Sequence, residues 1–125
     1  MILTSYARIG YTVGIVTDRP RRDSALLYDL RVTVERIEGR SVCGLQVGDH
    51  FDVVESSRLV IPPGKHFCIF ALQSVLPLLA ARQRRLAPGD WLEHDALVAC
   101  PDPDERVVMR VERTRRRRVK LGDVT

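Results

Sequence analysis

In "YDLRVTVERI", residues 28–37, Leu30, Val32 and Val34 alternate with Arg31, Thr33 and Glu35. A period of two sends successive side chains to opposite faces of an extended chain, so the segment reads as a strand with one apolar face and one charged face. Such a strand needs cover on one side only, which points to an antiparallel sheet packed against another layer. Partner strands are legible nearby. "DHFDVVE" places Phe51 and Val53 on one face and His50, Asp52 and Val54 on the other, and predicts a hairpin with the first strand, closed by the loop around Cys43. "ALVAC" and "RVVMRV" flank "PDPDE", whose prolines stop either strand from entering the turn, and Val107, Met109 and Val111 share one face. The covering layer is the segment from Phe67 to about Arg85, where apolar residues recur at 68, 72, 75, 76, 79 and 80. Pro77 withholds its N–H from the carbonyl of Gln73, which predicts a kink or a restart there. Arg82, Arg84 and Arg85 complement the dipole at the helix end. The expected fold is α+β: a small antiparallel sheet built from two hairpins, with one main helix packed across it.

A chain of 125 residues fits one domain. The pattern divides it into an N-terminal extension (1–25), a single α+β domain (26–113) and a basic C-terminal tail (114–125). Within the extension, "IGYTVGIVT" has strand character weakened by Gly10 and Gly14, and "DRPRRDS" reads as a linker. With 45% hydrophobic and 29% charged residues the composition is that of a globular protein rather than a disordered or membrane one. The longest apolar stretch, Phe67 to Ala81, is interrupted by Gln73, Ser74 and Pro77, so no membrane span is expected. Arg8 lies inside the apolar part of the N-terminus and the basic cluster follows it, the wrong order for a secretory signal; the expected location is cytoplasmic. Charge is concentrated at one end. Residues 1–109 carry 13 basic and 14 acidic side chains, whereas 110–125 carry seven basic ones against Glu112 and Asp123. "RTRRRRVK" therefore reads as a solvated end, with docking on nucleic acid as a subsidiary expectation, because residues 110–125 contain no aromatic ring to stack on a base. Only Lys65 and Lys120 among the 20 basic residues are lysines, the mark of a GC-rich coding sequence.

Cys43, Cys68 and Cys100 lie 25 and 32 residues apart. Their odd number argues against a disulfide framework, and no pair has the spacing of a zinc knuckle or a redox motif, so only the fold can bring them together. Cys68 falls in the opening turn of the expected helix, where the dipole favours a thiolate; it is a candidate nucleophile, with His66 or His94 as its base, and it also fits the apolar stripe as core. Cys100 precedes the turn in which Asp102 stands between two prolines and so has little freedom, while Asp104 reads as a turn residue bonding to its own backbone. Cys43 sits in "SVCGLQVGDHF", where Gly44 and Gly48 indicate tight turns.

"VCGLQVGDHF", "HFCIFALQSVLPLL" and "DWLEHDALVACPDPDERVVMRV", in this order after a strand like "YDLRVTVERIEG", resemble a family of short uncharacterised bacterial and archaeal proteins with a Cys-Pro-Asp-Pro motif. The resemblance covers about residues 28–113 and departs from the pattern at Ile69, where the family commonly has proline. It places all three cysteines at motif positions, which implies a shared site and implies no particular activity. The leading expectation is a small enzyme of specialised metabolism acting on a compact organic substrate by hydrolysis, cyclisation or dehydration. Its site would comprise Cys68 or Cys100 as the thiol, His66 or His94 as acid/base and Asp102 as an orienting group, with no cofactor, in a pocket within one chain or between the subunits of a homodimer. The alternative is a soft-metal module in which Cys43, Cys68, Cys100 and His66 hold zinc or iron. The third is a nucleic-acid-binding module led by the arginine-rich tail.

Overall fold

The structure, a computed structural model, describes residues 23–94 and 96–124; the "IGYTVGIVT" segment lies outside the described residues. In chain order the elements are β1 (Ser24–Ile37), β2 (His50–Val54), β3 (Arg58–Val60), α1 (Ile69–Arg82), β4 (Ala96–Ala99) and β5 (Val107–Lys120), with 3-10 turns at Trp91–Glu93 and Leu121–Asp123. The strands form one sheet in the order β3-β2-β1-β5-β4, every neighbouring pair antiparallel. The α+β architecture expected from the sequence is the one observed. It also contains β3, whose three residues are all exposed and therefore show no alternation.

The sheet is built on the long β1–β5 ladder, which runs from Ser24 opposite Lys120 to Ile37 opposite Val107. Two register shifts interrupt it: Thr114 is the extra residue on β5 and Glu35 the extra residue on β1. β2 pairs only with Leu30–Thr33, and β4 only with Val108–Val111. Among the described residues the opposite half of the ladder, 24–29 against 115–120, is thus a ribbon of two strands. This corrects the boundary that charge alone suggests at residue 113, since residues 114–120 belong to β5, and β1 begins at Ser24. The reason is local pairing: a run of arginines repels itself when isolated, but here Asp29, only 5% exposed, accepts two hydrogen bonds from Arg117 at 3.0 and 2.6 Å.

Leu30, Val32 and Val34 of β1, Phe51 and Val53 of β2, and Val107, Met109 and Val111 of β5 are buried on one face of the sheet. Ala71, Val75 and Leu79, one stripe at a spacing of four, bury the inner side of α1 against them. Leu76 and Ala80, placed on the apolar stripe by periodicity, turn outward instead. α1 runs through Pro77 without restarting, and both Pro77 and Gln73 lie on its exposed side, where the unbonded carbonyl of Gln73 can meet water. The other sheet face is charged: Arg31 pairs with Asp52 at 2.8 Å and Arg110 pairs with Glu35.

The carboxyl end of α1 is held from the sheet. Arg113 of β5 donates to the carbonyls of Arg82 and Arg84 and to the carboxylate of Glu93, and lies 4.4 Å over the ring of Tyr28. Buried Arg82 in turn donates to the carbonyls of Val111 and Leu92. No helix among the described residues is long and apolar enough to cross a membrane.

A candidate thiol and carboxylate centre

Three chain segments meet at the end of the sheet where β1 finishes and β5 begins. Beyond Ile37 the ladder continues, as the amides of Glu38, Gly39 and Arg40 donate to the carbonyls of Arg106, Glu105 and Asp104 at 2.9–3.1 Å. This approach requires a glycine, for a Cβ on residue 39 would lie 1.9 Å from the Asp104 carbonyl oxygen. The loop then folds inward: Ser41 Oγ donates to the Leu45 carbonyl at 2.7 Å, Leu45 is buried, and Gly44 takes φ +84°. Cys43 is thereby laid against the 101–106 turn, and its amide donates to Glu105 Oε2 at 2.7 Å.

The turn is braced from within. Asp102 Oδ1 accepts the amide of Asp104 at 2.8 Å, and the Asp102 carbonyl accepts the amide of Arg106 at 3.0 Å. Cys100 anchors its base: the Cys100 amide donates to the Val107 carbonyl at 2.9 Å, and the Val107 amide donates to Cys100 Sγ at 3.4 Å. So braced, the turn directs the Glu105 side chain inward, leaving the residue 4% exposed. From the third segment comes Cys68, which occupies the N-cap position of α1 with extended backbone and no side-chain cap bond. Phe67 fixes the entry to the helix by packing edge-on against Phe51, with ring centroids 4.8 Å apart.

The result is a compact group in which Cys43 Sγ, Cys68 Sγ and a Glu105 carboxylate oxygen all lie within 4.8 Å of one another. His66 adjoins it. Its Nε2 is 2.8 Å from the Cys43 carbonyl, and its ring lies beside Gly44. A carbonyl only accepts, so Nε2 carries the proton and a neutral ring has its lone pair on Nδ1. Burial pushes the Cys43 thiol up to about 11; the neighbouring Glu105 and Cys68 push the same way and the Leu45 backbone opposes them. At neutral pH Cys43 is therefore a thiol, not a thiolate.

Of the residues singled out in the sequence, the fold brings together Cys43, Cys68 and His66. It places the others elsewhere. Cys100 does not join the group, and its sulfur is engaged by the Val107 amide in the core. Asp102 is occupied inside its own turn. His94 is exposed, with Nε2 2.9 Å from the Pro88 carbonyl, and lies beyond the end of β4 opposite to Cys100, roughly 13 Å of strand away. Glu105, read in the sequence only as one of three turn carboxylates, is the residue that completes the group. The signal for it was the position of "PDPDE" at the start of a strand whose antiparallel partner ends a few residues before Cys43. No protein-family model, no curated protein and no solved structure matches the chain.

Two sulfurs and a carboxylate oxygen form a donor set suited to a borderline-soft divalent cation. A tetrahedral zinc site, with Zn–S near 2.3 Å and Zn–O near 2.1 Å, sets its ligand atoms roughly 3.5 Å apart. The group therefore needs to contract by little more than about 1 Å at any edge, within reach of side-chain rotation.

Proposed function

We propose that the protein is a soft-metal-binding module, with zinc held by Cys43, Cys68 and Glu105 and with His66 as the fourth donor. The observation that carries this reading is the convergence of three ligand atoms from distant parts of the chain within 4.8 Å. His66 suits the remaining position because a metal-bound imidazole commonly donates its other N–H to a backbone carbonyl, as Nε2 does to Cys43. In this reading Glu105 takes the place in the ligand set that the sequence assigned to Cys100. Elemental analysis of the purified protein is expected to find about one zinc per chain. Cys43→Ser and Cys68→Ser should each reduce this to a small fraction, while Cys100→Ser retains it; retention in both of the first two variants refutes the site.

The position of Cys68 at the start of α1 favours a second reading, in which its thiolate is a nucleophile, Glu105 is the proton acceptor and a compact organic molecule is the substrate. Alkylation with iodoacetamide separates the two. A zinc site protects Cys43 and Cys68 until a chelator is added, whereas a nucleophile gives one fast-reacting thiol that zinc and chelator leave unchanged.

A further inference from the structure

Cys43 and Cys68 lie 25 residues apart in the chain, yet the fold fastens their backbones to one another. Both polar groups of the Cys43 backbone are held: the amide donates to Glu105 Oε2 at 2.7 Å, and the carbonyl accepts from His66 Nε2 at 2.8 Å, two residues before Cys68. Cys68 is fixed in its turn, because its carbonyl accepts the Leu72 amide at 2.9 Å as α1 begins. Its side chain is not engaged in capping the helix. The two sulfurs lie no more than 4.8 Å apart, and both are free thiols. A disulfide bond is about 2.05 Å long, so joining them asks for an approach of at most about 2.8 Å. Moving one side chain to a neighbouring rotamer displaces its sulfur by about 3 Å, which leaves the backbone ties in place. Cys100 stands outside this arrangement, its sulfur held by the Val107 amide in the core.

We propose that Cys43 and Cys68 form a reversible disulfide when the protein meets a hydroperoxide. Whichever sulfur reacts first becomes a sulfenic acid and releases one water; the other thiol then attacks that sulfur and expels its hydroxyl as a second water. Two thiols and one hydrogen peroxide thus become one disulfide and two waters, and Cys100 stays reduced. The bond itself needs no metal. Its consequence for zinc rests on the metal-site reading above: zinc-bound thiolates give the same products with uptake of two protons and release of the cation, and the site stays empty until a reductant restores the thiols.

The test uses the whole chain, reduced, stripped of metal with a chelator and treated with one equivalent of hydrogen peroxide. Remaining thiols are blocked with N-ethylmaleimide, and the protein is digested with trypsin without reduction. Mass spectrometry should find peptide 41–58 joined to peptide 66–82 with the loss of two hydrogens, and peptide 86–106 blocked at Cys100. The yield should hold over an about tenfold dilution of the protein, as a bond within one chain requires, and a phosphine reductant should part the pair. Thiols at 43 and 68 that remain open to blocking after peroxide, their conversion to sulfinic acids without joining, or a bond that includes Cys100 would each overturn the proposal. A zinc-treated sample separates this from the metal reading. Release of zinc to a coloured chelator in step with the joined peptides supports both, and joined peptides from a chain that takes up no zinc support the bond while refuting the metal site. Zinc uptake without joined peptides in the metal-free sample refutes the bond alone.

Discussion

A carboxylate shut in beside two thiols is costly to bury unless its charge is answered, and Glu105 has for this the amide of Cys43. A divalent cation would answer it more fully. Glu105→Gln keeps the side-chain shape and an oxygen for the Cys43 amide while removing the charge, so it should weaken zinc binding at least about tenfold in a calorimetric titration. Gly39 matters for the same site at a distance. Gly39→Ala forces its Cβ into the Asp104 carbonyl and pushes the turn outward, which should lower stability in urea by roughly 1–3 kcal/mol and reduce zinc affinity as well. At this scale the sequence disclosed the thiols at positions 43 and 68 and the imidazole at 66, because those residue types are chemically conspicuous. Glu105 was hidden by its company, since a carboxylate in a turn with Asp102 and Asp104 reads as solvated until the docking of Gly39 against that turn is known. Cys100 has the opposite history: conspicuous in sequence, it serves in the fold as the anchor of the turn that carries Glu105.

Among the elements, those with one buried face and one wet face were legible, and those with neither were not. β1, β2 and the strands flanking "PDPDE" show their alternation directly. β3 has no buried face to reveal it, and the last seven residues of β5 show mainly charge, because their place in the sheet depends on a partner about 90 residues earlier in the chain. Truncation after Arg113 therefore removes structure: it strips the ladder from 24–29, exposes Leu27 and leaves buried Asp29 without Arg117. The expected outcome is a lower thermal midpoint by circular dichroism; an unchanged one would mean that the ribbon contributes nothing to the fold. The tie between α1 and β5 gives the fold a pH dependence. The guanidinium of Arg113, followed by the Leu86 amide, holds Glu93 down at about 2. A carboxylate lowered in the folded state stabilises above its ordinary value near 4.5 and loses that contribution as pH falls toward 2. Glu93→Gln should accordingly show a smaller drop in thermal midpoint between pH 5 and pH 2 than the parent chain.

For the molecule as a whole, the centre joins the loop after β1, the start of α1 and the β4–β5 turn, so whatever binds there ties the helix to the sheet. Cys43 also links it to protons. Its thiol, raised to about 11 in the fold, contributes stability that is present below its ordinary value near 9 and lost as pH rises from there through 11. On the proposed zinc reading the metal takes Cys43 as the thiolate, so binding would expel its proton, and affinity should rise at least tenfold per pH unit between pH 6 and 8. The most direct measurement is titration of zinc into metal-free protein by calorimetry at those two pH values, in parallel for the parent chain, Cys68→Ser and Glu105→Gln. The account predicts one site per chain, tighter at pH 8 by a hundredfold or more, lost in Cys68→Ser and weakened in Glu105→Gln. Zinc binding indifferent to pH and to both substitutions, or no uptake by the parent chain, would contradict it.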